Sequence, residues 1–439
     1  MTISSEQIYN ILKDWNLWEK PMDTGFPRFE YLKRLEKMTE SGQVAVITGA
    51  RRSGKSYLMR QLAGRLVKNG IEKNRILFIN FEDPRFGRQD AALAQKAYET
   101  YLEYERPSGK PYIFLDEIQE VAEWEKWVRT LHELGAANLI ISGSNAKLLS
   151  RELSTVLTGR HMDLTVLPFS FAEFVGFRRE VSGVDSKISN QALLREYLEI
   201  GGFPEVVKQT GERKELLLAY FDDIVAKDLA RRYNIRKDSA VKEAARYYFS
   251  NISAPSTFNS LAKFLSVSPL TAQKFAGYFE NAYLLFFLKR FSFKVKAQEK
   301  SPRKVYAVDL GLSGAVGFGF SEGIGRKAEN AAFLELLRRQ FANSDLELYY
   351  WKDDQHHEVD FVLKEKTKVK QLIQVAWSLT GDKTLARELD GLFRAAKDFP
   401  EAEAIVLTGE KNGEEQYRGL KIKFMSLSEW LLIDYQTIP

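Results

Sequence analysis

Three features of the sequence predict an α/β multidomain protein. The stretch Gly49-Ala50-Arg51-Arg52-Ser53-Gly54-Lys55-Ser56 fits the pattern GxxxxGK[ST], between a β-branched apolar run, Val44–Ile47, and a helical one, Tyr57–Leu66. Short apolar runs then alternate with helical stretches to about residue 180, the spacing of a parallel sheet with crossover helices. Beyond residue 238 the pattern changes twice, in a chain of 439 residues that is long enough for two or three domains.

The composition bounds the rest. With 44% hydrophobic and 28% charged residues a sizeable core is expected. Cysteine is absent, which excludes disulfides and thiolate metal sites and fits a cytoplasmic location. Four histidines, two of them adjacent (His356, His357), speak against a multi-histidine metal centre. The N-terminus shows no signal-peptide pattern, and the longest apolar run, Ala282–Leu288, is far too short for a membrane span. The net charge of +5 points only weakly to a polyanionic partner.

Taken in order, Glu6–Trp18 and Phe29–Met38 read as helices leading to the first strand. Arg28 stands before the second, either as an adenine or phosphate contact or as a solvated arginine. In the glycine-bracketed loop, Gly49 and Gly54 let the backbone curl so that its N–H groups face a phosphate. The helix behind adds the positive end of its dipole. Lys55 would reach the β- and γ-phosphates, and Ser56 would offer its hydroxyl to magnesium. The expected nucleotide-binding set is Gly49, Ala50, Arg51, Arg52, Ser53, Gly54, Lys55, Ser56 and Tyr57, with ATP and Mg²⁺ as the cofactors.

Arg75–Phe81 is a second strand, stopped at Glu82-Asp83-Pro84, and Asp90–Glu105 is helical. Tyr112–Leu115 is a third strand ending in Asp116 and Glu117. Ligands of an open α/β sheet gather at that edge. Asp116 is therefore a magnesium ligand candidate and Glu117 the residue that orients and polarises the attacking water. Asn138–Asn145 is a further strand whose Ser144 or Asn145 could sense the γ-phosphate or cap the following helix, Ala146–Leu153. Arg160, before strand Met162–Leu167, could assist phosphoryl transfer in its own or a neighbouring subunit.

The ordered set GARRSGKS, FINFEDPR, FLDEIQEV, ISGSNAKLL, LTGR, LPFSFAEF and GGFPEVV (Gly201–Val207) resembles the archaeal-type ATPases, a branch of the AAA+/STAND P-loop proteins with a C-terminal DUF4143 region. The resemblance covers nearly the whole chain. It implies a P-loop ASCE core in residues 1–180, a helical lid or linker in 181–237, a winged helix in 238–312 and a PD-(D/E)xK nuclease-like domain in 313–439. It adds a DNA partner, structured or branched, and ATP-dependent remodelling of its engagement. A ring or dimer follows if Arg160 acts in trans. A nucleotide-gated switch of the STAND kind and an active metal-dependent nuclease stay open beside it.

The residues support these steps individually. Helices over Val241–Ser250, Thr257–Phe264 and Pro269–Ala282 precede strands Leu284–Phe293 and Lys304–Val308, joined by a lysine-rich loop. This is a winged helix-turn-helix outline. Thr271, Gln273 and Lys274 would face a DNA groove, and Lys294, Lys296, Lys300, Arg303 and Lys304 would touch phosphates. Further on, Glu329 lies in helix Gly325–Gln340 and Asp360 in a strand, as the nuclease resemblance implies. The E-x-K position reads Gln374-Val375-Ala376. Glutamine offers a metal only a neutral oxygen, and alanine cannot orient water, so the nuclease site is expected to be degenerate.

Overall fold

The computed structural model describes residues 3–144, 159–181, 183, 185, 187–235, 238–318, 323–379 and 382–433. They fall into two compact units, Met1–Val166 and Leu167–Pro439.

The first unit is built on strands β1 (Val44–Thr48), β2 (Ile76–Asn80), β3 (Tyr112–Asp116), β4 (Asn138–Ser142) and β5 (His161–Thr165). All neighbours are parallel, in the order β2-β3-β4-β1-β5. Every residue of β1 is buried, because helices cover both faces of the sheet. Val44 and Val46 point to a face packed by Ile8, Leu12, Tyr101, Trp124 and Val128. Ala45 and Ile47 point to the opposite face, packed by Leu32, Leu35, Leu58 and Leu62. Strand β4 lies between the loop-bearing β1 and β3, so three strand ends converge where a phosphate would sit. The α/β parallel-sheet expectation for this part is met, with strand ends within three residues of those read from the sequence. The helix expected over 146–153 lies outside the described residues.

The second unit opens with helices Phe171–Glu180, Asn190–Ile200, Pro204–Lys208 and Arg213–Asp223, the last running on through a π-helical stretch, Ile224–Arg231. The Gly201-Gly202 break has a physical cause. Asp309 is fully buried there, accepting hydrogen bonds from Gly202 N (2.6 Å) and Leu312 N (2.8 Å). Burial pushes its carboxyl up to about 6, against the pull of those amides. Gly201 sits at φ +78°, where a Cβ would stand 2.2 Å from Asp309 Oδ1.

Helices Asp238–Phe249, Phe258–Leu265 and Pro269–Asn281 follow, with an antiparallel three-stranded sheet of β6 (Pro255–Ser256), β8 (Arg303–Ala307) and β7 (Leu285–Leu288) in that order. The lysine-rich segment between β7 and β8 departs from the sequence reading. Strand β7 ends five residues early because the chain leaves it to pair elsewhere, Phe291 N donating to Tyr350 O at 2.6 Å. The expected loop contains a helix, Val295–Lys300, whose Glu299 holds Lys289 (2.6 Å) and Arg303 (3.1 Å).

The last sheet has strands β9 (Leu346–Lys352), β10 (Glu358–Glu365), β11 (Lys368–Ala376), β12 (Glu403–Thr408), β13 (Gly413–Tyr417) and β14 (Leu420–Ser426). Their order is β13-β14-β12-β11-β10-β9, parallel only between β11, β12 and β14. Helix Asp382–Asp398 covers one face through Leu389, Leu392 and Ala395. Helix Ile324–Ala342 covers the other, where Phe333 meets Phe361. The sequence reading missed the β13–β14 hairpin, although Ile422 and Phe424 alternate with lysines and Arg418-Gly419 forms its turn at φ +50° and +86°.

Gly201→Ala is expected to destabilise the protein by about 2 kcal/mol or more, from the left-handed backbone and the clash with Asp309 together. Thermal unfolding should show a loss of several degrees with nucleotide affinity unchanged. An unaltered melting temperature would refute the account of the glycine pair.

Candidate nucleotide site

The phosphate loop leaves β1 at Thr48, and its first glycine makes the turn possible. Gly49 has φ +140°, and a Cβ on it would lie 2.0 Å from the carbonyl oxygen of Val166. Gly54 caps helix Lys55–Lys68 at φ +99°, so the helix N-terminus opens into the loop. Lys55 is only 4% exposed and folds back over the loop, donating to the carbonyls of Gly49 (3.2 Å) and Ala50 (3.1 Å). A lysine so placed is preorganised for an anion held by the same loop. Ser53 Oγ is buried without a hydrogen-bond partner, as a hydroxyl aimed at a phosphate oxygen would be.

Two side chains outside the motif hold the loop. Arg28 is buried and donates from Nη1 to Ser53 O at 2.9 Å, with its guanidinium 4.4 Å from the Tyr31 ring centre. It is thus not solvated but a tether of the loop backbone. Its signal in the sequence was an arginine one residue before a helix of apolar residues, too common to read. Arg51 is also buried and pairs with Glu82 at 2.8 Å, whereas Arg52 and Tyr57 are exposed. Ser56 is half-buried in the first turn of the helix.

Across the loop stand the acids that end β3. Asp116 accepts a short hydrogen bond from Ser142 Oγ, and the same Oγ accepts from Glu117 N at 3.2 Å. Ser142 therefore clamps both acids from β4, a role the sequence reading did not assign. Its signal was position alone, the last residue of the strand next to β3. Glu117 is in the left-handed region at φ +52° and turns its carboxylate to Lys55, with Oε1 3.8 Å from Nζ. Burial raises the Glu117 pKa, and the charge of Asp116 adds to this, while Lys55 and Arg51 pull the other way. Gln119 Nε2 donates to its second oxygen at 2.5 Å. These residues can cradle a triphosphate. Ser56 and Asp116 are the groups that would hold its magnesium, and a carboxylate with raised proton affinity stands opposite.

Comparison with known proteins agrees with this geometry. The AAA domain family matches residues 41–175, and two domain families of unknown function, DUF8612 and DUF4143, match residues 191–324 and 324–430. An uncharacterized protein of Methanocaldococcus jannaschii is 34% identical over 368 residues, which cover 81% of this chain and 79% of that one. One of Haemophilus influenzae is 30% identical over 418 residues, covering 92% and 98%. The chain belongs to the P-loop AAA ATPase family with a C-terminal DUF4143 region. Among solved structures, a Walker-type ATPase of Pyrococcus abyssi aligns at 14% identity and TM-score 0.47 over 66% of this chain and 95% of that one. The ORC1 protein of Aeropyrum pernix in complex with DNA aligns at 12% and 0.31 over 68% and 94%. Likenesses this weak add nothing to the assignment.

The other expected residues stand as follows. Ser144 is buried just past the end of β4, and Asn145 lies outside the described residues. Arg160 stands at the far edge of the sheet. Its carbonyl accepts from Val44 N, at the start of β1, and its side chain pairs with Glu133 at 3.2 Å. The length of a five-residue strand, ~16 Å, separates it from the loop. Among the described residues no helix is long and apolar enough to cross a membrane.

In the second unit, Gln273 and Lys274 are exposed on helix Pro269–Asn281, and Thr271 is half-buried in its first turn. Lys294 and Lys296 are exposed, while Arg303 pairs with Glu299 and lies over the Phe258 ring at 5.5 Å. Lys304 corrects the sequence reading. It is 1% exposed and touches no solvent phosphate position; its Nζ lies 2.7 Å from Asp360, 2.7 Å from Glu358 and 3.0 Å from Glu329. The alternation of β8 turns Lys304 inward once Arg303 faces out. Burial opposes its charge, but Asp360, Glu329 and Glu358 hold its pKa well above the usual lysine range. Burial, with the charge of Asp360, pushes Glu329 up to about 8. Burial acts on Glu358 the same way, yet Lys304 and Lys352 bring it below its ordinary value. Gln374 joins the cluster as an acceptor from Asp360 N (3.1 Å) and a donor to Glu388 (2.5 Å).

Arg28→Met keeps the apolar bulk beside Tyr31 but removes the bond to Ser53 O. A loss of about 1.5 kcal/mol, roughly tenfold in nucleotide affinity, is expected. Titration with a fluorescent ATP analogue checks this, and unchanged affinity would show that the tether is dispensable.

Proposed function

We propose that this protein binds Mg-ATP in the loop Gly49–Ser56, hydrolyses it, and uses its nucleotide state to control how the second unit engages DNA. The observation that carries the first half is the facing pair of Lys55 and Glu117, 3.8 Å apart and almost fully buried. Lys55 and the loop amides would neutralise charge on the transferring phosphoryl group, and Glu117 would position water and take its proton. Magnesium held by Ser56 and Asp116 would supply further charge neutralisation. Burial helps Glu117, since a base with raised proton affinity accepts a proton more readily near neutral pH. Asn145, or Ser144 beside it, is the sensor candidate, and Arg160 is left with a role in a neighbouring subunit of a homo-oligomer.

The DNA half rests on the second unit's helix-turn-helix order followed by two strands, read as a winged helix. The exposed Gln273, Lys274, Lys294 and Lys296 support it. In this reading the DUF4143 region binds DNA or assembles the protein, and its nuclease-like site at Glu329, Asp360 and Gln374 does no cleavage.

Lys55→Ala should abolish ATP-dependent thermal stabilisation. Glu117→Gln should keep ATP binding and lower turnover by about 100-fold or more; hydrolysis at the parental rate would remove Glu117 from its role. Replacing Lys294 and Lys296 together by alanine should weaken duplex binding and reduce the slope of log K against log salt by about 2. Turnover indifferent to DNA, with no loss of DNA affinity in the double variant, would favour a slow nucleotide-gated switch instead.

A further inference from the structure

The cluster around Lys304 is built as a cation site, and its cation belongs to the chain. Strand β8 carries Lys304 from the small sheet into the acids of the six-stranded sheet. Its ammonium has three protons, and three carboxylates meet them, at 2.7 Å (Asp360 Oδ1), 2.7 Å (Glu358 Oε1) and 3.0 Å (Glu329 Oε1). These are N–H···O distances for charged partners.

Two of the three remaining oxygens are engaged too, and Glu329 Oε1 takes a second donor. Asp360 Oδ2 accepts from Val375 N at 2.9 Å, and Glu358 Oε2 pairs with Lys352 at 2.9 Å. Tyr306 donates to Glu329 Oε1 at 2.7 Å. Glu388 takes Gln374 on one oxygen (2.5 Å) and Arg387 on the other (2.6 Å). Gln374 is satisfied at both ends, which a glutamate would not be beside Glu388. A divalent ion needs several free anionic oxygens converging at 2.0–2.6 Å. Here the converging oxygens are spent on nitrogen donors, and among the described residues no group of three or more acidic or histidine side chains is disposed to hold a metal.

We propose that Lys304 is the resident cation of this site, its ammonium standing where a divalent ion would bind among Glu329, Glu358 and Asp360. The native chain then takes no Mg²⁺ or Mn²⁺ there, and the same contacts pin the three-stranded sheet to the six-stranded one. The inference does not depend on the nucleotide reading. Truncating Lys304 removes the cation and leaves three buried carboxylates facing one another, an arrangement that a divalent ion would relieve.

The test uses the full chain without nucleotide. Mn²⁺ is titrated and free Mn²⁺ read by electron paramagnetic resonance, alongside melting temperature. The wild-type protein should show no saturable Mn²⁺ site and no metal-dependent shift. Lys304→Ala should melt lower without metal, bind one equivalent of Mn²⁺ and recover stability with it. Adding Asp360→Asn should abolish that binding. Lys304→Met, which keeps the stem volume, is the second variant if the alanine protein does not fold, and the wild-type titration stands without either. Mn²⁺ binding by the wild type that Asp360→Asn removes would overturn the proposal, as would Mn²⁺-dependent DNA cleavage with the same requirement. A folded Lys304→Ala protein that takes up no Mn²⁺ overturns it as well.

Discussion

The first unit depends on one close approach, the backbone of Gly49 against the carbonyl of Val166. No side chain fits there, since a Cβ would stand 2.0 Å from that oxygen. The approach lets the chain turn sharply out of β1 while β5 lies alongside, and the loop amides then face inward. Everything else at the site answers that turn. Arg28 holds Ser53 from outside, Lys55 folds over the carbonyls of Gly49 and Ala50, and Ser142 fixes the two acids of β3. The parallel order β2-β3-β4-β1-β5 brings these parts to one edge, where ligands of open α/β sheets bind.

Buried charge recurs in both units but is handled differently. At the phosphate loop the balance is incomplete. Glu117 faces Lys55 at 3.8 Å, longer than a hydrogen bond, and Ser53 Oγ has no partner. Such groups are costly unless a ligand satisfies them, which suits a binding site. At Lys304 the balance is closed. Each proton of the ammonium has its own carboxylate, and the amide of Gln374 bridges Asp360 N and Glu388. A closed network rigidifies and joins two sheets, and the unpaired alternative would cost several kcal/mol.

Much of the nucleotide site was legible because its signals are local. The glycines, Lys55, Ser56 and the acids closing β3 follow one another within short stretches, and the strand–loop–helix context is itself local. The exceptions are instructive. Arg28 was read as solvated or as a ligand contact, because nothing near it in sequence shows that Ser53 lies above it. Arg160 was placed by order in the chain, and only the register Val44↔His161 reveals that it stands at the wrong end of the sheet. Lys304 was read as part of a basic wing because four other basic residues precede it, yet strand alternation turns it alone inward.

By itself, then, the sequence determined most of the elements of the first unit, the α/β class and the chemistry of the phosphate loop, since backbone propensity and short-range motifs need only neighbours along the chain. Only the tertiary structure decided which charges meet. Lys304 and Asp360 are 56 residues apart in sequence and 2.7 Å apart in space. Long-range electrostatic pairing depends on how sheets and helices close upon one another, and no periodicity along the chain records it.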